Sequence, residues 1–369
     1  MRTPLASQQR LIDALATHPE ALDEGPTEYI ETHFSWVILT RRYAFKCKKA
    51  LAHEWLPHDT PADRRRACWT EVHLNRRLAP AVYLDVIGLA LGDDGRVRPA
   101  TAATEYLVQM RRLPDAASLE AQLAAGTLSA AAIDRLGHRL GRFYAELPPE
   151  RPAPAQYWRE LTGLLVEWRD EACTHMPAAE SERAGALQRR LDELAHALRA
   201  TLEERTRLGR LCEAHGDLRP AHVYFLPEPV AIDCLEFSRP LRILDPVDEL
   251  AFLAMECRRL GAGWIGSRLA ACYTAQADDR PPRALWIFHA ARRALLWALL
   301  GLRHLDRPDT GDSAHWQRRA AAYIRLGHAI LDELAHDGQH AAAAAIPWAN
   351  SGAADTQESR SEAGNAPRA

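Results

Sequence analysis

The chain has no GxxxxGK[ST] phosphate loop, so any nucleotide chemistry must be carried by another scaffold. Its seven cysteines are odd in number and scattered, with no C-x-x-C pair. That excludes a zinc ribbon, argues against a disulfide framework and fits a reducing compartment. Neither charge is in large excess: 46 Lys plus Arg stand against 49 Asp plus Glu, a formal charge of −3. A dedicated nucleic-acid binder, usually basic, is not expected. No apolar run approaches the roughly 20 residues of a membrane helix. The start MRTPLASQQRLIDAL has neither a long apolar stretch nor a small-residue cleavage site. Together these features predict a cytoplasmic location and no membrane partner.

What is present suffices for a large core: 47% of 369 residues are hydrophobic and 26% charged. At roughly 100–200 residues per domain, that length predicts two domains or one bilobal unit. The first third reads as mixed. SQQRLIDALAT (7–17) has helical spacing, and SWVILT (35–40) and YAFKCK (43–48) are strand-like runs joined at Arg41-Arg42. The helix in TPADRRRACWTEVHLNRRLAP starts with Thr60 as N-cap and Pro61 at its first position, and ends at Pro80. VYLDVIGLAL (82–91) and ATEYLVQM (103–110) flank a Gly92–Gly95 turn. Beyond Pro114 the apolar period turns helical over 117–146, 155–176, 181–206 and four later stretches. Two short strands, VYFL and VAIDCL, interrupt it, and the Ala-, Ser- and Gly-rich tail from about 340 has no periodicity, which predicts disorder. The order describes a small sheet-rich lobe followed by a larger helical one, and ligands commonly bind between such lobes.

Two constellations point to chemistry. On the helix at 61–79, Ala67, Glu71, Leu74 and Leu78 share a face, which sends a carboxylate toward the core. Alternation puts Ala44, Lys46 and Lys48 on one side of their strand, so a Lys46–Glu71 pair is the natural partner. A solvated Glu71 at the rim is the competing reading. The densest polar stretch is His215-Gly216-Asp217-Leu218-Arg219-Pro220-Ala221-His222, followed by Asp233 embedded in an apolar strand. Asp217 as base, with His222 and Asp233 as metal ligands, would make a phosphoryl-transfer centre. A structural network of satisfied acids and histidines is the alternative. Among the smaller features, Arg64-Arg65-Arg66 reads as a solvated helix face. His289, Arg292 and Arg293 read as a structural salt bridge or the border of an acceptor pocket.

HGDLRPAH resembles the HGD-x-x-x-x-N catalytic loop of aminoglycoside phosphotransferases and their kinase-fold relatives, and IDCLEF is similar to their metal-binding Asp strand. ILDPVDELAFL resembles the helix start that follows, and YAFK matches the V-A-I-K strand. With HFSWVILTRRYAFKCKKA, HLNRRLAP and EYLVQMRRLP, the chain looks like the aminoglycoside-phosphotransferase-like proteins sometimes fused to a P-loop ATPase domain, over roughly residues 27–300. The resemblance implies an α+β, bilobal protein-kinase-like fold. It divides the chain into a nucleotide-covering N-lobe (1–112), a helical C-lobe (113–340) and a disordered tail (341–369). It further implies a phosphotransferase moving the γ-phosphoryl group of ATP to a small-molecule hydroxyl. Lys46 would hold the α- and β-phosphates, oriented by Glu71, and Gln109, Met110 and Arg111 would form the adenine-contacting hinge. Asp217 would accept the acceptor proton, and Asp233 would bind Mg²⁺. His215, Asp245 and either Asp248 or Glu249 would support the catalytic loop.

The chain departs from that pattern twice. His222 stands where the family has Asn, and imidazole suits softer ions than Mg²⁺, so either the second metal is absent, or a different ion such as Mn²⁺ is used, or His222 contacts phosphate directly. TEYIETHFSWV, the nucleotide-covering loop, has no glycine. Both departures suit the alternative of a pseudokinase, a nucleotide- or protein-binding module without turnover. A metal-dependent hydrolase built on His215, His222 and Asp233 would leave the Lys–Glu pair unexplained. Glu236, Asp248 and Glu249 near the loop would suit a cationic sugar as acceptor.

Overall fold

Strand alternation and helix period in the first third converge on one sheet with two different faces. A computed structural model of the chain describes residues 5–18, 22, 28–53, 56–306 and 312–337. The tail expected to be disordered, 341–369, lies outside the described residues. Helix α1 (Leu5–Thr17) precedes strands β1 (Glu28–Glu31), β2 (Ser35–Leu39) and β3 (Tyr43–Lys48), and a two-residue hairpin follows, β4 (Ala52–His53) with β5 (Leu56–Pro57). Next come α2 (Pro61–Asn75), β6 (Tyr83–Leu91), β7 (Val97–Pro99) and β8 (Glu105–Arg111). Six strands form an antiparallel sheet in the order β1-β2-β3-β8-β6-β7. The β2–β3 turn at Arg41-Arg42 lacks glycine and asparagine. Thr40 closes it instead, its hydroxyl accepting from the Tyr43 amide at 3.1 Å and its own amide donating to the Tyr43 carbonyl at 2.8 Å.

Because successive side chains point to opposite faces, Phe45 and Cys47 join Trp36, Ile38 and Leu107 in a core with Leu11, Ile12 and Leu15 of α1. Val108, one residue on from Leu107, faces the other way, into a core with Cys68 and Val72 of α2, Val82 and Tyr83. Lys46 and Lys48 therefore face the α2 side. Helix α2 is set by a complete capping box. The Thr60 hydroxyl accepts from the Asp63 amide and the Asp63 carboxylate from the Thr60 amide, each at 3.2 Å.

The arginine run on α2 is not a uniform solvated face. Arg65 and Arg66 are exposed, but Arg64 is fully buried, because the helical period places it with Cys68 and Glu71. Its guanidinium forms a fork with the buried Glu105 carboxylate and donates to the His58 carbonyl at 2.7 Å. Gln8 of α1 also donates to Glu105 (2.9 Å) and to the carbonyl of Lys48 (2.9 Å), while accepting from the Ala50 amide (2.5 Å).

The chain divides into two compact units. The sheet unit comprises residues up to 125, including α3 (Leu119–Ala125), together with residues 221–241. The helical unit comprises 126–220 and the described residues from 242 onward. The helical period expected over 117–146 is broken, because Gly126 takes a positive φ of 65° and Ser129 caps a new helix, α4 (Ala130–Glu146). This unit continues with β9 (Pro149–Glu150), α5 (Pro154–His175), α6 (Ala178–Arg207) and β10 (Leu211–Glu213). In the sheet unit, β11 (Val223–Phe225) and β12 (Pro229–Ala231) form a hairpin whose Val230 and Tyr224 pack on the α2-side core. The helical unit resumes with β13 (Ile243–Leu244), α7 (Pro246–Arg259), α8 (Trp264–Ala277), α9 (Arg283–Leu302) and α10 (Ser313–Asp337). Strands β13, β10 and β9 form a small sheet. Contrary to the sequence expectation, one segment, Arg283–Leu305, is long and apolar enough by composition to cross a membrane. Of its apolar window 83% is buried inside the structure, and α9 packs against α5, α6, α7 and α10, as a core helix does.

Candidate functional site

In the sheet unit, the lysines of β3 meet the acid of α2. Lys46 Nζ lies 3.0 Å from Glu71 Oε1 and 2.7 Å from Asp233 Oδ1. Lys48 Nζ lies 2.6 Å from the other Glu71 oxygen and also pairs with Glu236. Glu71 is fully buried, and so is Lys48, whereas Lys46 keeps some exposure and Asp233 is 42% exposed. The solvated reading of Glu71 is thereby excluded. Burial disfavours the charged form of Lys46, but the carboxylates of Asp233 and Glu71 outweigh it and hold its pKa well above the ordinary value. Lys48 is raised in the same way by Glu236 and Glu71 against burial. Glu236 is correspondingly lowered: burial works against its charge, and Lys48 and Lys46 overcome it.

Asp233 is not within a strand, as its apolar flanks predict. Strand β12 ends at Ala231, and Asp233 adopts the left-handed conformation, φ 61°, which is uncommon outside glycine and tolerated by aspartate. Its neighbourhood holds that conformation. The Asp233 amide donates to the Tyr83 hydroxyl at 3.0 Å, the Cys234 amide to Asn75 Oδ1 at 2.9 Å, and the Ile232 amide to the His222 carbonyl at 2.9 Å. Asn75 in turn donates to the Glu71 carbonyl at 2.9 Å. Tyr83, Asn75 and Lys48 thus support the cluster although sequence reasoning did not nominate them. Lys48 was legible from the strand alternation; Tyr83 and Asn75 act through main-chain partners about 150 residues away, which leave no local signal.

His222 Nε2 lies 3.7 Å from Asp233 Oδ2. Among the described residues no three His, Cys, Asp or Glu side chains gather as a protein-only metal cage. Mg²⁺ seldom uses one, being held by one or two carboxylates plus phosphate oxygens. The half-exposed Asp233 carboxylate fits that donor set, whereas the adjacent imidazole suits softer ions.

Gln109, Met110 and Arg111 lie at the end of β8, Gln109 in register with Phe45 and Asp85, and Met110 with Ala44 and Tyr83. The Arg111 amide donates to the Val82 carbonyl (2.8 Å) and that of Arg112 to Arg42 (2.9 Å). The glycine-free loop between β1 and β2 is closed by Thr32, which accepts from the Ser35 amide at 3.0 Å through its hydroxyl.

In the helical unit, the stretch from His215 to Arg219 is held by Glu249. That carboxylate accepts from the Gly216 amide (2.5 Å), the His215 amide (3.2 Å) and the Tyr144 hydroxyl (2.6 Å). Gly216 has φ 90°, which a side chain would strain. The His215 ring accepts from the Asp217 amide at 3.3 Å through Nδ1. Asp248, the other acid nominated for support, is buried instead with Arg292 (2.5 Å) and Arg293 (2.7 Å). Burial raises its pKa, yet the two guanidinium groups bring it well below the usual carboxylate range. Asp245 caps α7, accepting from the Val247 amide at 2.9 Å, and pairs with the buried Arg205.

His289, also fully buried, has its Nδ1 3.6 Å from Asp248 and no hydrogen-bond partner for either ring nitrogen among the described residues. Burial pushes its pKa down to about 4 although Asp248 pulls the other way. An unfolded histidine titrates near 6.5, so as pH falls the unfolded chain binds a proton that the folded one refuses. The stability His289 contributes is complete above about pH 6.5 and lost progressively toward pH 4. We expect this to remove about 2 kcal/mol between roughly pH 7 and pH 5 in urea unfolding, and His289→Gln to flatten that part of the profile. Equal slopes in the two proteins would contradict it.

No family model matches the chain. It is 31% identical over 286 residues to uncharacterized proteins of Mycobacterium tuberculosis and Mycobacterium bovis, a stretch covering 76% of this chain. The chain spans only 55% of the length of those relatives. Among solved structures it is similar to a choline kinase from Cryptosporidium parvum (TM-score 0.54, 12% identity, covering 90% of this chain and 97% of that one). It is also similar to aminoglycoside 2'-phosphotransferase-IIIa in its GDP complex (0.51, 15%, 88% and 99%). A choline/ethanolamine kinase family protein from Mesorhizobium loti gives 0.50, 15%, 89% and 100%. At these identities the likeness is one of fold, and the chain has the α+β kinase-like fold.

Proposed function

We propose that the chain is an aminoglycoside-phosphotransferase-like enzyme that moves the γ-phosphoryl group of ATP to a hydroxyl of a small molecule. One observation carries the reading: Lys46, Glu71 and Asp233 meet within 3.0 Å in one unit, although they come from a strand, a helix and a loop far apart in sequence. A structural salt bridge needs one acid and one base. Here a lysine with residual exposure is held between a buried acid and a half-exposed one, an arrangement suited to receiving phosphate and a divalent cation.

In this reading Lys46 neutralises the α- and β-phosphates and Glu71 orients it. Asp233, with His222 beside it, holds Mg²⁺ or Mn²⁺, which when bound neutralises phosphate charge. Gln109, Met110 and Arg111 border the adenine. Asp217 accepts the proton of the acceptor hydroxyl, and Glu249, His215 and Asp245 keep its loop in place. Catalysis is mostly positioning and charge neutralisation. In terms of sequence, residues 1–112 cover the nucleotide and 113–340 supply Asp217 and Asp233. The imidazole of His222 favours a second reading, a nucleotide-binding module without turnover.

Calorimetric titration of the full chain with Mg·ATP tests the nucleotide site. Lys46→Met should weaken binding about 10–100-fold, the worth of one or two charge-assisted contacts. Failure of the unsubstituted chain to bind ATP with either Mg²⁺ or Mn²⁺ would overturn the proposal. Binding without ADP release over a broad panel of alcohols would select the second reading.

A further inference from the structure

The HGDLRPAH stretch contains one charged residue to which the reading above gives no task. Arg219 lies two positions after Asp217, with its Nε 3.3 Å from Asp217 Oδ2. Its guanidinium carbon sits 5.3 Å from the centre of the Trp297 ring, and Trp297 is itself stacked on Phe252 (5.6 Å between centroids, 17° between planes). Arg219 is thus clamped on an aromatic pair from α7 and α9. Its Nε is buried without a hydrogen-bond acceptor, and its Nη groups make no hydrogen bond among the described residues.

The buried arginines of the helical unit each hold a carboxylate, although Arg292, like Arg219, leaves its Nε without a hydrogen-bond partner among the described residues. Arg292 and Arg293 hold Asp248, Arg205 holds Asp245 and Asp279, and Arg242 holds Glu213. The acids that sequence reasoning offered to a cationic acceptor are engaged as well: Glu249 by two loop amides, Asp248 by two arginines and Glu236 by Lys48. What stands beside Asp217 in the helical unit is therefore a cation. A planar guanidinium fixed on an indole loses little freedom on binding, and its fork matches carboxylate and phosphate. A cationic group in the same place would be repelled.

We propose that Arg219 is a specificity-determining residue that binds an oxyanion, carboxylate or phosphoryl, of the molecule presented to Asp217. The identity of that molecule rests on the phosphotransferase reading; the oxyanion site does not. Two sources supply this chemistry, an anionic acceptor or the phosphoryl group in transfer, and the engagement of Glu249 by loop amides and of Asp248 by two arginines favours the anionic acceptor.

The test uses the full chain with Arg219→Gln, Arg219→Lys and, as control, Arg199→Gln. Arg199 stacks on Trp158 at the same 5.3 Å but is paired with Glu203. Inorganic phosphate and glycerate are titrated calorimetrically. Binding should weaken about tenfold or more in Arg219→Gln, recover largely in Arg219→Lys, and be unchanged in Arg199→Gln. ADP release is then followed with glycerate, glycerol and choline as anionic, neutral and cationic alcohols. A higher KM for glycerate alone in Arg219→Gln identifies the acceptor as the source of the oxyanion. An equal fall in kcat for every alcohol identifies the transferring phosphoryl group. If neither anion binds, or both bind Arg219→Gln as tightly as the unsubstituted chain, the inference is overturned. ADP release absent throughout, with Arg219-dependent phosphate binding intact, would instead remove the phosphotransferase reading and leave the oxyanion site standing.

Discussion

Asp217→Asn should lower ADP release by about 10²–10⁴-fold, the usual worth of a general base, while nucleotide affinity stays within about twofold. The amide keeps the shape of the carboxylate but cannot take a proton. The Glu249 carboxylate, not Asp217, holds the amides of His215 and Gly216, so these two loop anchors do not depend on the lost charge. The main-chain bond from Asp217 to the His215 ring is equally untouched. The ion pair to Arg219 is partly exposed and contributes under about 1 kcal/mol. Turnover and binding should therefore separate cleanly, with the melting temperature almost unchanged. Turnover comparable to that of the unsubstituted chain would show that Asp217 is not the base.

Glu71→Gln has the largest expected effect on stability, about 3–5 kcal/mol in urea unfolding. Its carboxylate is divided between two lysines, one oxygen each, at 3.0 and 2.6 Å. The amide offers one acceptor and no charge, so the buried ammonium of Lys48 and the partly buried one of Lys46 lose a counter-ion together. Each retains one acid, Lys46 its Asp233 and Lys48 its Glu236, and the chain should still fold. Lys46 would then be drawn wholly to Asp233, and ATP affinity should fall along with stability. A loss under about 1 kcal/mol would mean that water screens the cluster far more than its burial implies.

The parts legible in advance were those carried by short-range periodicity. Two-residue alternation in YAFKCK and the spacing on α2 are enough to bring Lys46 to Glu71. The Thr60 cap was readable from its own four residues. Where a long-range polar partner decides, periodicity was silent or misleading. Arg64 looked like one of three solvated arginines because Glu105, which makes its burial tolerable, lies 41 residues away. Asp233 looked like a strand residue because its flanks are apolar, but the Tyr83 hydroxyl accepts from its amide and Asn75 Oδ1 from that of Cys234, which hold it left-handed. The choice between Asp248 and Glu249 was open for the same reason: both are buried acids in one helical turn, and only their distant partners tell them apart.

The sheet unit is discontinuous, since residues 221–241 return to it after the chain has built much of the helical unit. During synthesis this imposes an order. When the first 125 residues have emerged, Lys46 and Lys48 share Glu71 alone, and the core beside Val72 and Val108 still lacks Val230. The acid that completes the surroundings of Lys48 arrives 188 residues later. Until then the nascent sheet carries an uncompensated charge in its interior and an uncovered apolar face, so it cannot reach its final stability as a separate early-folding piece. The same segment that brings Asp233 also finishes the core, so the loop carrying that acid acts as the closing step of assembly for its unit.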